Sequence, residues 1–184
     1  MRKLSIGVAV LATALAAPAF AQSSTSTKSF TVQGNVPAMC AGGTIVGGNG
    51  TFDLGVLADT TTGQLRTDLS APDKVISGSF CSSRSTITIA ATPMAAQNFT
   101  ATPPSGFARS VNYVASASGW TTTPASFDTG AAANTAATQI RATAFTGDIT
   151  VGIAGFATSG GSTLRLVADT NYSGLVTVTL TAAP

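Results

Sequence analysis

Cys40 and Cys81 are the only cysteines in the 184-residue chain, and three kinds of chemistry are open to them: a disulfide, two buried thiols or a nucleophile. A nucleophilic cysteine needs a neighbour that generates its thiolate, most often histidine. The sequence contains no His, and its acidic residues are all Asp. The commonest general base, the commonest transition-metal ligand and every hydrolase scheme built on Glu are therefore absent together. Asp169-Thr170-Asn171 comes nearest to a cation site, but it lacks the remaining ligands and the bidentate Glu of a calcium loop; it reads as a solvated turn. Lys28 and Lys74 could each activate a serine, yet neither stands in a nucleophile motif, and lysines at strand edges also discourage stray pairing. Trp120 and Tyr113 could line a sugar-binding surface, although a single Trp in a domain of this size is more often core. These residue types predict a protein that is not an enzyme, with no catalytic residue, no cofactor and no metal.

Residues 1–21 have the layout of an export signal. Arg2 and Lys3 precede an apolar run from Leu4 to Phe20, closed by Ala19-Phe20-Ala21, the arrangement of a cleavable leader. The run falls short of the roughly 20 residues that span a bilayer, and the polar stretch Gln22 to Lys28 follows it in place of a stop-transfer pattern. The expected product is exported, passing through the periplasm to the cell surface, with no membrane span after cleavage. It would be a single domain over residues 22–184. Cutting the leader leaves seven Lys/Arg against seven Asp, so no net field draws the protein to phosphate backbones and no nucleic-acid partner is expected. Export also bears on the cysteines: an even count in an oxidising compartment predicts a Cys40–Cys81 bridge, worth on the order of 4 kcal/mol in the chain-entropy picture.

Short segments that alternate apolar and small polar residues recur along the chain, divided by Gly, Pro, Asn, Asp and Ser clusters. A period of two places one set of side chains on a buried face and the other toward solvent. Phe30 and Val32 alternate with Thr31 and Gln33, and Phe52, Leu54 and Val56 with Asp53 and Gly55. The same pattern covers Ile87 and Ile89, Ile149 to Ile153, Leu164 to Leu166, and Val176, Val178 and Leu180. Val75 to Cys81, Val111 to Ala117 and Gln139 to Phe145 bring the count to about nine strands, a number suited to two packed antiparallel sheets. Ala131 to Ala137 has helical composition but reads as a loop or a single turn among so many breakers.

Two stretches resemble the chaperone-usher pilins: Phe30-Thr-Val-Gln-Gly34-Asn-Val36-Pro-Ala-Met-Cys40, and Phe52-Asp-Leu54-Gly55-Val56 followed by Ile76-Ser-Gly-Ser-Phe80-Cys81. The stretch Val111 to Trp120 and the ending Tyr172 to Leu180 are more similar to the spore coat protein U-like branch, which includes archaic pilus subunits. The resemblance implies an immunoglobulin-like antiparallel sandwich that lacks one strand. Its groove would be filled by the N-terminal extension of another subunit. It further implies copies of itself or related subunits as partners, with a periplasmic chaperone and an usher. The implied donor segment lies within residues 22–36, with Phe30, Val32 and Val36 as its anchors. The strand bearing Val176, Val178 and Leu180 would border the groove and be the surface that a chaperone holds, with no sequence after it to supply a further strand.

Two readings remain at this level. One is a structural subunit of a fibre or pilus assembled by donor-strand exchange. The other is a self-contained secreted or periplasmic binding sandwich, for carbohydrate or adhesion, in which residues 29–36 are an ordinary first strand.

Overall fold

The computed structural model describes residues 24–183; the leader 1–21, Gln22 and Ser23 lie outside the described residues. The chain divides into two units, Met1–Asn35 and Val36–Pro184.

In the first unit, residues 24–35 form no strand. Phe30 is 90% exposed and Val32 95% exposed, so the strand expected over residues 29–36 is not formed. Alternation supplies the pattern of a strand, but a strand needs a hydrogen-bonded neighbour, and none of the described residues provides one here.

The second unit is all β, with no helix among the described residues. Its large sheet contains β1 (Cys40–Ala41), β2 (Thr44–Val46), β3 (Lys74–Cys81), β5 (Met94–Ala96), β7 (Ser110–Ser118), β8 (Ala125–Asp128), β10 (Phe145–Thr158) and β12 (Tyr172–Ser173). The strand order is β1-β3-β10-β7-β5-β12, with β2 also on β3 and β8 also on β7. A second sheet has the order β13-β4-β9, from β4 (Ser85–Ala91), β9 (Thr138–Arg141) and β13 (Val176–Ala182). Both sheets are antiparallel; β6 (Phe107–Ala108) and β11 (Arg165–Leu166) add one short parallel pair. The result is an antiparallel β-sandwich, as the alternation predicts.

Period-two patterning explains which side chains meet in the middle. Along β7, Val111, Tyr113, Ala115 and Ala117 are buried while the residues between them are half-exposed. Ile87 and Ile89 of β4 and Ile149 of β10 are fully buried and join the same core. Trp120, just after β7, is also fully buried. Its indole N–H donates to Ser85 Oγ at 3.2 Å, and its ring meets Phe145 edge-on at 5.2 Å. The Arg141 guanidinium stacks on the outer side of this pair, 3.4 Å from the Phe145 centroid, and donates to the Trp120 carbonyl at 2.6 Å. Ring edges against ring faces, with a cation over a face, are the favourable aromatic arrangements.

The sheet curls because its longest strand is interrupted. β10 shifts register against β3 between Gly147 and Ile149, and against β7 between Ala154 and Ala157; bulges of this kind bend a strand and increase its twist. Asp148 fastens the first of them: its carboxylate accepts from the Gly78 backbone N–H and from Ser77 Oγ, each at 2.9 Å. Those two donors, the backbone N–H first, hold its pKa below the usual carboxylate value. On the neighbouring edge, β1 and β2 are one strand broken at Gly42-Gly43. Gly43 lies so close to β3 that a Cβ there would fall on the Ser77 carbonyl.

Ala131 to Ala137 is a loop, as expected. Two expected elements differ in detail. Gln139 to Phe145 divides into β9 and the start of β10. Phe52 to Val56 joins no ladder; Gly55 within it takes φ +63, a left-handed conformation that turns the backbone out of the line of a strand.

Candidate functional site

β13 is the strand on which a site can be built. It pairs with β4 from Val176↔Ala91 to Ala182↔Ser85 and has no second ladder partner among the described residues. Which of its groups remain free follows from the ladder. Thr92 N–H donates to the Leu175 carbonyl and Ala183 N–H to the Arg84 carbonyl, each on the same register. In an antiparallel pair, residues that exchange both bonds alternate with residues that exchange none. Thr177, Thr179 and Thr181 therefore spend their backbone groups on β4, while Val176, Val178, Leu180 and Ala182 aim theirs at the open edge. Nothing in the strand's own sequence blunts that edge. Natural sheets protect free edges with charges, proline or bulges, and Val-Thr-Val-Thr-Leu-Thr-Ala has none of these.

Beside this edge lies an apolar trough. A cavity of about 580 Å³ has Ile76 of β3, Val151 and Ile153 of β10 and Tyr113 of β7 along its floor, and Val176 and Val178 along one side. Ile45 of β2 stands on the opposite rim, 52% exposed. Among the described residues β2 has a ladder partner only in β3, so the trough is flanked by two strands that are each paired there on one side. Val176, Val178 and Leu180 pack against the core but are only half-buried, in contrast to Ile87 and Ile89 on the strand next to them.

A second cavity of about 660 Å³ adjoins the first, and Thr51, Phe52, Met94 and Tyr172 line both. Two of the polar groups lining the trough are engaged with neighbours. The Tyr113 hydroxyl donates to the Leu175 carbonyl at 3.3 Å, and desolvation by burial raises its pKa. Lys74 holds its ammonium 5.9 Å from the Phe52 ring centroid and donates to the Gly47 carbonyl at 3.5 Å.

Asp169 lines the second cavity. It accepts from the backbone N–H groups of Asn98, Phe99 and Asn171 and from the Asn98 side-chain amide, all between 2.7 and 2.8 Å. The Asn171 N–H has the largest effect, and together these donors hold the Asp169 pKa at about 2. The turn expected from sequence is present, closed by the Asn171 N–H on Asp169, and the same carboxylate also clasps the loop at Asn98 and Phe99. Because the folded pKa lies below that of an unfolded aspartate, the clasp contributes stability above about pH 4, and this contribution fades as pH falls toward 2. Acid titration followed by circular dichroism should show wild type losing stability across that window. Asp169→Asn, which keeps the shape without the charge, should start less stable at pH 7 and have a flatter profile. Equal slopes for the two proteins would show that the clasp carries no such linkage.

The residues singled out from sequence fall into three places. Cys40 and Cys81 form a disulfide between β1 and β3. Val176, Val178 and Leu180 are on the trough's unpaired strand. Phe30, Val32 and Val36 are exposed, the last at 77%. Trp120 and Tyr113 offer no exposed aromatic platform, being 0% and 3% accessible. Sequence reasoning missed Ile45 and Met94 as trough residues, because β2 and β5 have three residues each, too few to show a period; Ile153 was readable as a strand residue but not as part of a trough. Among the described residues no cluster of His, Cys, Asp or Glu could hold a metal, and no helix is long and apolar enough to cross a membrane.

Set against known protein families, curated proteins and solved structures, the chain matches none of them.

Proposed function

We propose that this protein is the structural subunit of an extracellular fibre or pilus, assembled when the N-terminal segment of one copy adds as a strand along β13 of another. The observation that carries this reading is the free edge of β13, whose Val176 and Val178 line an apolar trough. A strand laid there would satisfy the free backbone groups, and its alternate side chains would enter the trough. The segment around Phe30 and Val32 has the complementary properties. It forms no strand of its own, and its two large apolar side chains are two residues apart and exposed. Its neighbours Ser24 to Ser29 are polar and free of Gly and Pro, which suits a chain that must stay soluble before it pairs. Export, passage through a periplasm and cover of the β13 edge by a chaperone before delivery to an usher belong to the same reading.

A self-contained binding domain for carbohydrate draws on the trough volume, which is within the range of small-ligand sites. Such sites hold convergent polar groups, whereas the lining here is mainly apolar and its lysine and tyrosine groups, on Lys74, Tyr113 and Tyr172, are bonded to neighbouring carbonyls.

Deleting residues 22–36 tests the reading. The full mature chain should form assemblies that grow with concentration, and the deletion variant should stay monomeric. A peptide of residues 24–38 added in trans at a hundred times its Kd should raise the variant's Tm by roughly 5–10 °C. A full chain that stays monomeric, together with a Tm indifferent to the peptide, would overturn assembly in favour of the binding domain.

A further inference from the structure

Thr51 to Val56 runs past both cavities, with Thr51 and Phe52 lining the trough, and belongs to no sheet. Phe52 and Leu54 are half-buried, and Asp53 and Gly55 are exposed. Among the described residues, the hydrogen bonds to its backbone are Thr51 N–H to Asn49 Oδ1 at 3.1 Å, Gly55 N–H to Asp53 Oδ1 at 2.9 Å, and Arg66 Nη1 to the Val56 carbonyl at 3.2 Å. Two of these are local turns and the third comes from an exposed side chain, so no backbone ladder resists its displacement. What holds it is apolar: Phe52 packs against the core, beneath the Lys74 ammonium, and lines both cavities where they adjoin. Segments with few backbone bonds and modest burial occupy the low-stability end of a fold and open first.

We propose that Thr51–Val56 is a gate: Phe52 seats in the empty trough and swings out when a strand from a second copy enters. This rests on the strand-exchange reading and adds the step that regulates it. While the trough is empty, Phe52 shields part of the apolar floor from water and from wrong partners, and its release offsets part of what the incoming Phe30 and Val32 contribute. The gate therefore slows capture of a weak strand more than it weakens capture of one that fills the trough. Lys74 adds to the hold on the closed position, since an ammonium over a ring face is attracted to it.

The test uses the mature full chain, kept dilute, with Leu54→Cys as a reporter. Both native cysteines are in the disulfide, so the new thiol is the single reactive one. The peptide of residues 24–38 is added, and two readouts are followed: hydrogen exchange at Val176, Val178 and Leu180, and the rate of thiol labelling at position 54. The expected result is slower exchange on β13 together with about tenfold faster labelling, as an opening that was rare becomes the resting state. Phe52→Ala, checked for its fold by circular dichroism, should take up the peptide about tenfold faster than wild type, as the loss of a half-buried ring removes the hold. Protection on β13 with unchanged or slower labelling would overturn the gate and leave strand exchange standing. No protection on β13 would sink strand exchange first, and the gate with it.

Discussion

Replacing Cys40 and Cys81 by alanine together should cost about 4 kcal/mol of stability, a large share of the 5–15 kcal/mol a domain of this kind possesses. The bridge closes a loop of 41 residues, and most of its effect in the chain-entropy picture lies in restricting the unfolded chain. There is also a local effect. β1 is two residues long and among the described residues pairs only with β3, at Cys40↔Cys81 and Ala41↔Phe80, so it lacks the length to persist alone. Met39 N–H donates to Ser82 Oγ, and Ser82 N–H to the Met39 carbonyl; these bonds should fray with it. Denaturant titration of the double variant, or of wild type under reductant, should show the midpoint falling sharply while the slope rises as the unfolded chain expands. A change below about 1 kcal/mol would mean that the sheet contacts alone hold this edge.

Trp120→Ala should be comparably severe, at about 3–5 kcal/mol. The ring is fully buried and its neighbours are specific: Ser85 accepts its N–H, Phe145 lies against it, and Arg141 binds its carbonyl. Removing it leaves a cavity under Phe145 and an orphaned Ser85 hydroxyl that is itself fully buried. Trp120→Phe should recover most of the packing but not the hydrogen bond, costing about 1–2 kcal/mol. Thermal unfolding of the three proteins checks the order. If Trp120→Phe proves as damaging as Trp120→Ala, the buried bond to Ser85 outweighs the packing.

Much of this sandwich was legible in the sequence because its central strands are long and paired on both sides. Ile87 and Ile89, Val111 to Ala117, and Ile149 to Ile153 each run long enough to show a period of two, and each is buried on the side the period predicts. Trp120 was readable as core from its rarity alone. The edges were not readable in this way. Thr44–Val46 and Met94–Ala96 are too short for a pattern, and β1 and β2 are divided by a glycine pair whose role depends on the approach of β3.

Phe52 to Val56 shows the opposite limit, since its alternation is as regular as that of β13 and yet it joins no sheet. Alternation reports which side chains want burial; pairing depends on whether another backbone arrives at the right distance. Phe30 and Val32 differ from Val176 and Val178 for the same reason. The trough was legible only in its border strand, because a trough exists where two distant edges fail to meet, and no single segment carries that information.

The bridge between Cys40 and Cys81 sits where the N-terminal segment enters the sandwich, only a few residues beyond Val36. If that segment is held by a neighbour and pulled, tension travels along the chain to Cys40 and crosses at once into the eight-residue β3. A covalent link at that point spares the two-residue β1 from being unzipped one bond at a time, and spreads the load over the widest sheet in the molecule.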